Sequence, residues 1–176
     1  MAISLDGFVA RKDHNLDWLM KHDTEGEDPG YDDFISRMDG IVMGRGSFQT
    51  VLTFDHWPYQ KPVVVMSKTM TQTDIPKELQ KQVTISTLPP DQLMQSLASE
   101  GWVHAYIDGG QVVQSFIKAN LIEDMVITIT PILIGDGIRM FGELDADIDL
   151  ELVSSRKLKA GFVQSHYRLL PNQDHG

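Results

Sequence analysis

The feature that most constrains the fold is an apolar segment that runs directly into glycines. Residues 40–43 are apolar and are followed by Gly-Arg-Gly-Ser at 44–47, after which a helical pattern extends over 47–54. A strand that is apolar on both faces needs cover on each side, because a half-solvated strand would alternate with polar residues. The segment therefore predicts a buried sheet strand that turns tightly into a helix.

Short apolar runs and stretches of helical spacing alternate along the rest of the chain, which favours an α/β fold with a central mixed, mostly parallel sheet. We expect strands at residues 2–5, 40–43, 63–67, 83–86, 103–107, 125–132, 149–157 and 162–169, and helices at 32–38, 47–54, 91–99 and 112–120. The last two strands predict an antiparallel hairpin that closes the sheet. Asp91 is the predicted N-cap of its helix, with Leu93 and Leu97 facing inward.

Length and composition exclude several classes of protein. The chain has 176 residues, which predicts one domain over residues 1–170 and a flexible tail at 171–176. It has 0 cysteines, so disulfides, thiolate metal sites and a cysteine nucleophile are excluded. The 6 histidines show no close-spaced ligand pattern, and we expect no metal.

The charge balance bears on partners and location. With 15 Lys and Arg against 25 Asp and Glu, the formal net charge is -10, which disfavours nucleic acid and anionic membranes as partners. No apolar run approaches the roughly 20 residues that a membrane helix needs. We therefore expect a cytoplasmic protein that acts on a small-molecule substrate.

The turn after residues 40–43 is a candidate anion site. Glycines allow a tight turn, and amides at the start of a helix favour a phosphate. Arg45 adds a charged donor fork, while the Ser47 hydroxyl serves either a phosphate or the helix as its N-cap. The alternative is a capped turn in which Arg45 is solvated.

Two further strand ends carry residues suited to a nucleotide. Gly109 and Gly110, followed by Gln111, open a helix after a strand, and paired glycines permit close approach of a ligand. Ser67 and Lys68 follow the run at 63–66 and suit a ribose 2'-phosphate. Several anion sites at strand ends predict a dinucleotide, although an ordinary turn remains the alternative at each place and neither GxGxxG nor GxxxxGK[ST] is present.

The order of these motifs resembles a known family. The motifs are SLDG at 4–7, MGRGS at 43–47, WPY at 57–59, VVVMSKT at 63–69, DGG at 108–110 and PILIGDG at 131–137, followed by Phe141. Together they resemble the dihydrofolate reductase-like superfamily, in particular the reductase domain of the bifunctional riboflavin-biosynthesis deaminase/reductase. The resemblance covers residues 4 to about 169.

The resemblance implies a three-layer α/β/α fold and an NADPH-dependent reductase that forms a homodimer. The implied reaction is hydride transfer to a small heterocyclic or sugar-linked carbonyl or imine, similar to that of 5-amino-6-(5-phosphoribosylamino)uracil reductase or dihydrofolate reductase. The alternative is a non-catalytic nucleotide-binding or assembly module with the same fold.

The resemblance also assigns residues to the cofactor. The implied NADPH contacts are Gly44, Arg45, Gly46, Ser47, Ser67, Lys68, Gly109, Gly110 and Gln111. Gly46 stands where the family often has a basic residue. The loop from Gly7 to Trp18 resembles the flap that closes over the nicotinamide.

On the substrate side the sequence leaves alternatives open. Asp6, at the end of the first strand, and Asp32, in the first long helix, are candidate catalytic acids. Asp6 alternatively caps backbone amides, and Asp32 alternatively belongs to a solvated acidic surface. Trp18, Phe34 and Trp57 are candidate substrate-binding residues, with core packing as the alternative for both tryptophans.

Overall fold

A computed structural model describes residues 1–22 and 26–170 of the chain; the predicted tail at 171–176 lies outside these residues. The strands are β1 Ala2–Ser4, β2 Phe8–Ala10, β3 Gly40–Gly44, β4 Val63–Met66, β5 Val83–Ser86, β6 Ala105–Asp108, β7 Asp124–Thr130, β8 Ile138–Arg139, β9 Leu150–Lys157 and β10 Val163–Leu169. The α-helices are α1 Asp17–Met20, α2 Tyr31–Ser36, α3 Arg45–Val51, α4 Pro90–Ser99 and α5 Gly110–Lys118. Short 3-10 turns occur at Gln72–Asp74, Lys77–Leu79 and Lys159–Gly161.

The described residues form two compact units. Unit 1 consists of the described residues of segments 1–29 and 120–170, and unit 2 of Gly30–Ala119. Unit 2 holds a four-stranded parallel sheet in the order β5-β4-β3-β6. Unit 1 holds a mixed sheet in the order β1-β7-β10-β9 and the small pair β2-β8.

The core of unit 2 forms around β3 and β4. Ile41, Met43, Val63 and Val65 are fully buried, and Phe48 of α3 packs with them. Each of these strands is apolar on both faces, which favours cover on both sides of the sheet. Pairing with neighbouring parallel strands satisfies the backbone hydrogen bonds of these buried segments. The prediction of a buried strand at 40–43 that leads through a turn into a helix is confirmed.

The sheet of unit 1 combines both strand directions. β1 pairs in parallel with β7, while β10 pairs antiparallel with both β7 and β9. The predicted antiparallel C-terminal hairpin is therefore confirmed. No helix among the described residues is long and apolar enough to span a membrane.

Two local predictions need correction. Asp91 is not the N-cap of α4, because the helix begins at Pro90 with Pro89 as the capping residue. Proline suits the first helical position, where its missing N–H costs nothing. Strand β6 begins at residue 105 rather than 103, because the Asp39 carboxylate accepts hydrogen bonds from the amides of Val103 and His104 at 2.7 and 2.8 Å. The predicted inward positions of Leu93 and Leu97 are confirmed.

Candidate functional site

The two glycine turns of unit 2 lie side by side. Strands β3 and β6 are parallel neighbours, and Met43 is in register with Asp108, so the turns that follow begin at the same edge of the sheet. A Cβ atom added to Gly109 would lie 2.5 Å from Ser47 Oγ and 3.8 Å from the Gly44 amide nitrogen. Gly109 also has a φ of +92°, which L side chains rarely adopt. Position 109 therefore requires glycine for both space and backbone conformation.

Helix α3 begins two residues earlier than its sequence pattern indicates. Gly44 is the capping residue in an extended conformation, and the helix starts at Arg45. Ser47 is thus the third helical residue, and the alternative in which it is the N-cap is wrong. The amides of a first helical turn have no acceptor within their own helix, so this end of α3 presents donors beside Gly109.

Arg45 links the end of β3 to the end of β4. Its Nη1 donates to Thr69 Oγ1 at 3.0 Å. Ser67 Oγ accepts hydrogen bonds from the amides of Thr69 and Met70 at 3.2 and 3.0 Å, which holds the turn after β4 in place. Lys68 lies in the same turn. Thr69 belongs to the VVVMSKT motif at 63–69, but it is not among the predicted cofactor contacts.

The end of β6 opens into helix α5. Gly109 is the capping residue, and α5 begins at Gly110, which is buried, while Gln111 is exposed. The predicted cofactor residues of β3, β4 and β6 are therefore all brought to the carboxyl edge of one parallel sheet, the usual place for ligands in α/β sheets.

A carboxylate among tyrosines adjoins this edge. Tyr106 donates its hydroxyl to Asp108 Oδ1 at 3.0 Å. Burial raises the pKa of Tyr59 and of Tyr106, and the negative charge of Asp108 raises both further. Burial and then Asp108 raise the pKa of Tyr31 in the same way. These phenols therefore remain protonated donors over the physiological range of pH.

Sequence reasoning did not assign a role to Asp108. The available signal was an acid placed directly before two glycines at the end of a strand. Nothing in the sequence indicates the grouping of Tyr31, Tyr59 and Tyr106, because these tyrosines are distant in the chain and come together only in the fold.

Two of the candidate substrate-binding aromatic residues lie in unit 2. The Phe34 ring meets the Tyr106 ring edge to face, with 5.3 Å between centroids. Trp57 meets Phe48 at 6.0 Å and Tyr59 at 5.2 Å, and it packs against the core of unit 2. The Trp57 indole Nε1 is buried and has no hydrogen-bond partner among the described residues.

Asp32 lies in the first turn of α2, one residue after Tyr31. It is exposed, and its charge is a small contributor to the raised pKa of Tyr31. Its role as a catalytic acid stays a prediction.

Asp6 of unit 1 is engaged by its own surroundings. Its carboxylate accepts hydrogen bonds from Ser4 Oγ at 2.6 Å and from the amides of Ile134 and Gly135 at 3.1 and 2.7 Å. Desolvation opposes ionisation of Asp6, but these hydrogen bonds outweigh it and lower its pKa. This geometry matches the amide-capping alternative, while the catalytic role of Asp6 stays a prediction.

Trp18, also in unit 1, is fully buried in α1. Its indole Nε1 has no hydrogen-bond partner among the described residues. The packing alternative describes its position, and a contact with substrate stays a prediction.

Comparison with known proteins gives the same family as the motifs. The family model of the RibD C-terminal domain matches residues 1–164. The uncharacterised protein YwjB of Bacillus subtilis (strain 168) is 31% identical over 170 residues, covering 95% of this chain and 94% of that protein.

Solved structures agree with this. A putative riboflavin biosynthesis protein of Shewanella sp. PV-4 superposes with a TM-score of 0.90 and 38% identity, covering 97% of each chain. A Thermotoga maritima diaminohydroxyphosphoribosylaminopyrimidine deaminase/5-amino-6-(5-phosphoribosylamino)uracil reductase has a TM-score of 0.66 at 13% identity, covering 96% of this chain and 55% of that one, and it shows the fold alone.

These matches confirm the resemblance drawn from the sequence motifs and the α/β fold class with parallel strands. From the family model and the fold together, we conclude that the chain belongs to the RibD C-terminal domain family.

Proposed function

We propose that the chain is an NADPH-dependent reductase that transfers a hydride to a small heterocyclic or sugar-linked carbonyl or imine. One observation carries the proposal: the turns at Gly44 and Gly109 adjoin at the carboxyl edge of a parallel sheet. Membership of the RibD C-terminal domain family supports a reductase-like role.

The residues at this edge fit the phosphates of a dinucleotide. Gly109 has no side chain at a place where one would collide with Ser47, so a ligand can approach its backbone. The first turn of α3 presents amide donors beside it. Arg45 supplies a fork of N–H donors, and Lys68 a second positive charge, in a chain whose net charge is -10. A local cationic cluster of this kind is what an anionic cofactor needs to overcome the repulsion of the whole protein.

Bound NADPH supplies the hydride, and the protein supplies position and polarity. Arg45 is held by Thr69, so its guanidinium needs little ordering when an anion binds. Asp108 lies one residue before Gly109 and is held by the Tyr106 hydroxyl, which places an oriented carboxylate next to the turn that we assign to the cofactor. We propose Asp108 as a polar contact for substrate, alongside the predicted acid Asp32, which also belongs to unit 2.

The experiment separates binding from turnover. NADPH binding is measured by calorimetry, and NADPH oxidation by absorbance with panels of pyrimidine, pterin and carbonyl compounds. Oxidation with one panel supports the reductase. Tight binding without oxidation in any panel supports the nucleotide-binding module instead, and a preference for ATP or NAD over NADPH contradicts the assignment of the cofactor.

Arg45→Ala tests the anion site directly. We expect NADPH affinity to fall by about 1 to 3 kcal/mol, because a charge-assisted contact to phosphate is lost. Lys81→Ala is the control, since Lys81 precedes β5 at the opposite edge of the same sheet and is also exposed. Equal dissociation constants for the two variants would show that Arg45 does not bind the cofactor.

A further inference from the structure

An aromatic group adjoins the Asp108 carboxylate in unit 2. Tyr106 and Asp108 share a face of β6 because they are two residues apart on the strand. The Phe34 ring meets the Tyr106 ring edge to face, with 5.3 Å between centroids, and Tyr31 lies three residues before Phe34 on the same face of α2. The charge of Asp108 also acts on the Tyr59 phenol. We call these five residues the Asp108 cluster: Tyr31, Phe34, Tyr59, Tyr106 and Asp108.

The Asp108 cluster is held in place by its surroundings. The Tyr106 hydroxyl donates to Asp108 Oδ1 at 3.0 Å, which orients the carboxylate. The backbone oxygen of Tyr59 accepts a hydrogen bond from Gln82 Nε2 at 2.8 Å, and the Tyr59 ring meets the Trp57 ring at 5.2 Å. The cluster therefore needs little ordering when a ligand binds.

One oxygen of Asp108 remains open to a ligand. Among the described residues, Tyr106 is the one side chain that donates to Asp108, and it contacts Oδ1. Asp108 is only partly exposed, so water solvates its charge incompletely. A carboxylate accepts hydrogen bonds at both of its oxygens. Oδ2 is therefore available to a donor, and the charge favours a donor that is positively charged.

Charges of opposite sign are separated along the carboxyl edge of the parallel sheet. The strand order is β5-β4-β3-β6. Lys68 follows β4 and Arg45 follows β3, whereas Asp108 ends β6. Asp32 adds a second negative charge that acts on Tyr31. The edge thus favours an anionic group beside β4 and β3 and a cationic group beside β6.

The aromatic rings add to the preference for a cation. The face of an aromatic ring carries partial negative charge and attracts a cation within about 6 Å of its centre. Burial raises the pKa of Tyr59 and Tyr106, so both rings stay uncharged phenols at neutral pH. A planar cation can lie against such rings and still donate N–H groups in its own plane to a carboxylate.

We propose that the Asp108 cluster binds a planar, positively charged nitrogen group of the substrate, such as an amidinium or a protonated amino-substituted ring. The group donates to Asp108 Oδ2 and lies against the aromatic rings. Calling the bound molecule the substrate rests on the proposed function, whereas the preference for a cation does not. The inference narrows the substrate to compounds that carry no acidic group beside this ring.

Three small ligands of similar planar shape test the charge preference in the wild-type chain without NADPH. Benzamidinium, benzamide and benzoate are cationic, neutral and anionic at pH 7, and calorimetry of the full chain gives their dissociation constants. We expect benzamidinium to bind at least about tenfold more tightly than benzamide, because its hydrogen bond to Asp108 is charge-assisted, and we expect benzoate to bind most weakly. Equal affinities, or tightest binding of benzoate, would overturn the proposal.

Asp108→Asn removes the charge and keeps the shape of the side chain. We expect its benzamidinium affinity to fall at least about tenfold and its benzamide affinity to change less than about twofold. Asp91→Asn is the matched control, because Asp91 is an exposed acid of unit 2 in the first turn of α4. An unchanged benzamidinium affinity in Asp108→Asn, or an equal loss for both ligands, would show that the Asp108 charge does not bind the cation.

NADPH oxidation separates this inference from the reductase activity. Faster oxidation with cationic acceptors than with anionic acceptors of the same ring supports both. Oxidation with anionic acceptors alone contradicts the Asp108 cluster as the substrate site and leaves the reductase standing. Benzamidinium binding that depends on Asp108, without oxidation by any acceptor, keeps the cation site and contradicts the reductase.

Discussion

The strand ends of the two units use polar residues in opposite ways. At the end of β1 in unit 1, the Asp6 carboxylate accepts hydrogen bonds from Ser4 and from two amides of the loop after β7. At the ends of β3 and β6 in unit 2, glycines and Arg45 leave donors at the sheet edge.

The difference shows why a polar residue at a strand end is an ambiguous signal. A carboxylate that accepts hydrogen bonds from amides of its own chain stabilises the fold and has fewer acceptor positions left for a ligand. Bare backbone at a glycine turn contributes little to the fold and remains available to a ligand. Changes at the two strand ends should therefore separate stability from cofactor binding.

Gly109→Ala should have the largest effect on both quantities. An alanine at a φ of +92° costs about 1 to 2 kcal/mol of stability. We expect NADPH affinity to fall at least about tenfold as well, because the new Cβ would lie 2.5 Å from Ser47 Oγ and occupy the space between the turns. Urea denaturation and calorimetric titration measure the two effects.

Gly101→Ala is the matched control for this change. Gly101 has a φ of +94°, and a Cβ there would meet nothing within 4 Å. The backbone cost is therefore the same, without any change at the sheet edge. Loss of NADPH binding in both variants would mean that backbone strain, and not the position of Gly109, explains the result.

Much of the fold was predictable because its strands in unit 2 are buried on both faces. Ile41, Val42 and Met43 have no polar face, and this alone favours cover on both sides. The short strands β2 and β8 were not predicted, because three and two residues give too little periodicity to recognise. The N-cap of α4 was misplaced because proline and aspartate compete for the same few positions at a helix start.

The candidate site was predictable only in part. The glycines and Arg45 are adjacent in the chain and mark a turn whose chemistry can be recognised locally. The tyrosines around Asp108 come from three separate segments. Tyr106 and Asp108 share a face of β6, and the hydrogen bond between them depends on their side-chain rotamers. The hydrogen bonds to Asp6 come in part from the Ile134 amide, which is 128 residues away in sequence, so no local pattern indicates them.

Asp6→Asn should affect stability alone. The folded pKa of Asp6 is lowered, so its ionised form contributes stability above the unfolded pKa of about 3.9, and this contribution is lost as pH falls through the folded value. We expect the variant to unfold about 1 kcal/mol more easily at pH 7, with the difference from wild type shrinking below about pH 4.

Urea denaturation across pH measures this difference, and NADPH titration at pH 7 provides the contrast with Gly109→Ala. An unchanged NADPH affinity of Asp6→Asn supports a purely structural role of the Asp6 carboxylate. A stability difference that persists at pH 2, or a large loss of NADPH oxidation in a fully folded variant, would contradict it.

Ser67→Ala should have the smallest effect on stability and on NADPH affinity. It sharpens the comparison because Ser67 of unit 2 accepts hydrogen bonds from its own turn and is also a predicted cofactor contact. Its Oγ accepts the amides of Thr69 and Met70, so removing the hydroxyl should cost about 0.5 to 1 kcal/mol of stability. Ser67 Oγ also lies 3.5 Å from Thr69 Oγ1, a long contact that a phosphate can replace, so we also expect a modest loss of NADPH affinity. Ser86→Ala is the control, because Ser86 Oγ accepts the Leu88 amide at the end of the neighbouring strand β5. If Ser67 binds the cofactor, the two variants lose similar stability and Ser67→Ala alone loses affinity; equal affinities would assign Ser67 to the turn only.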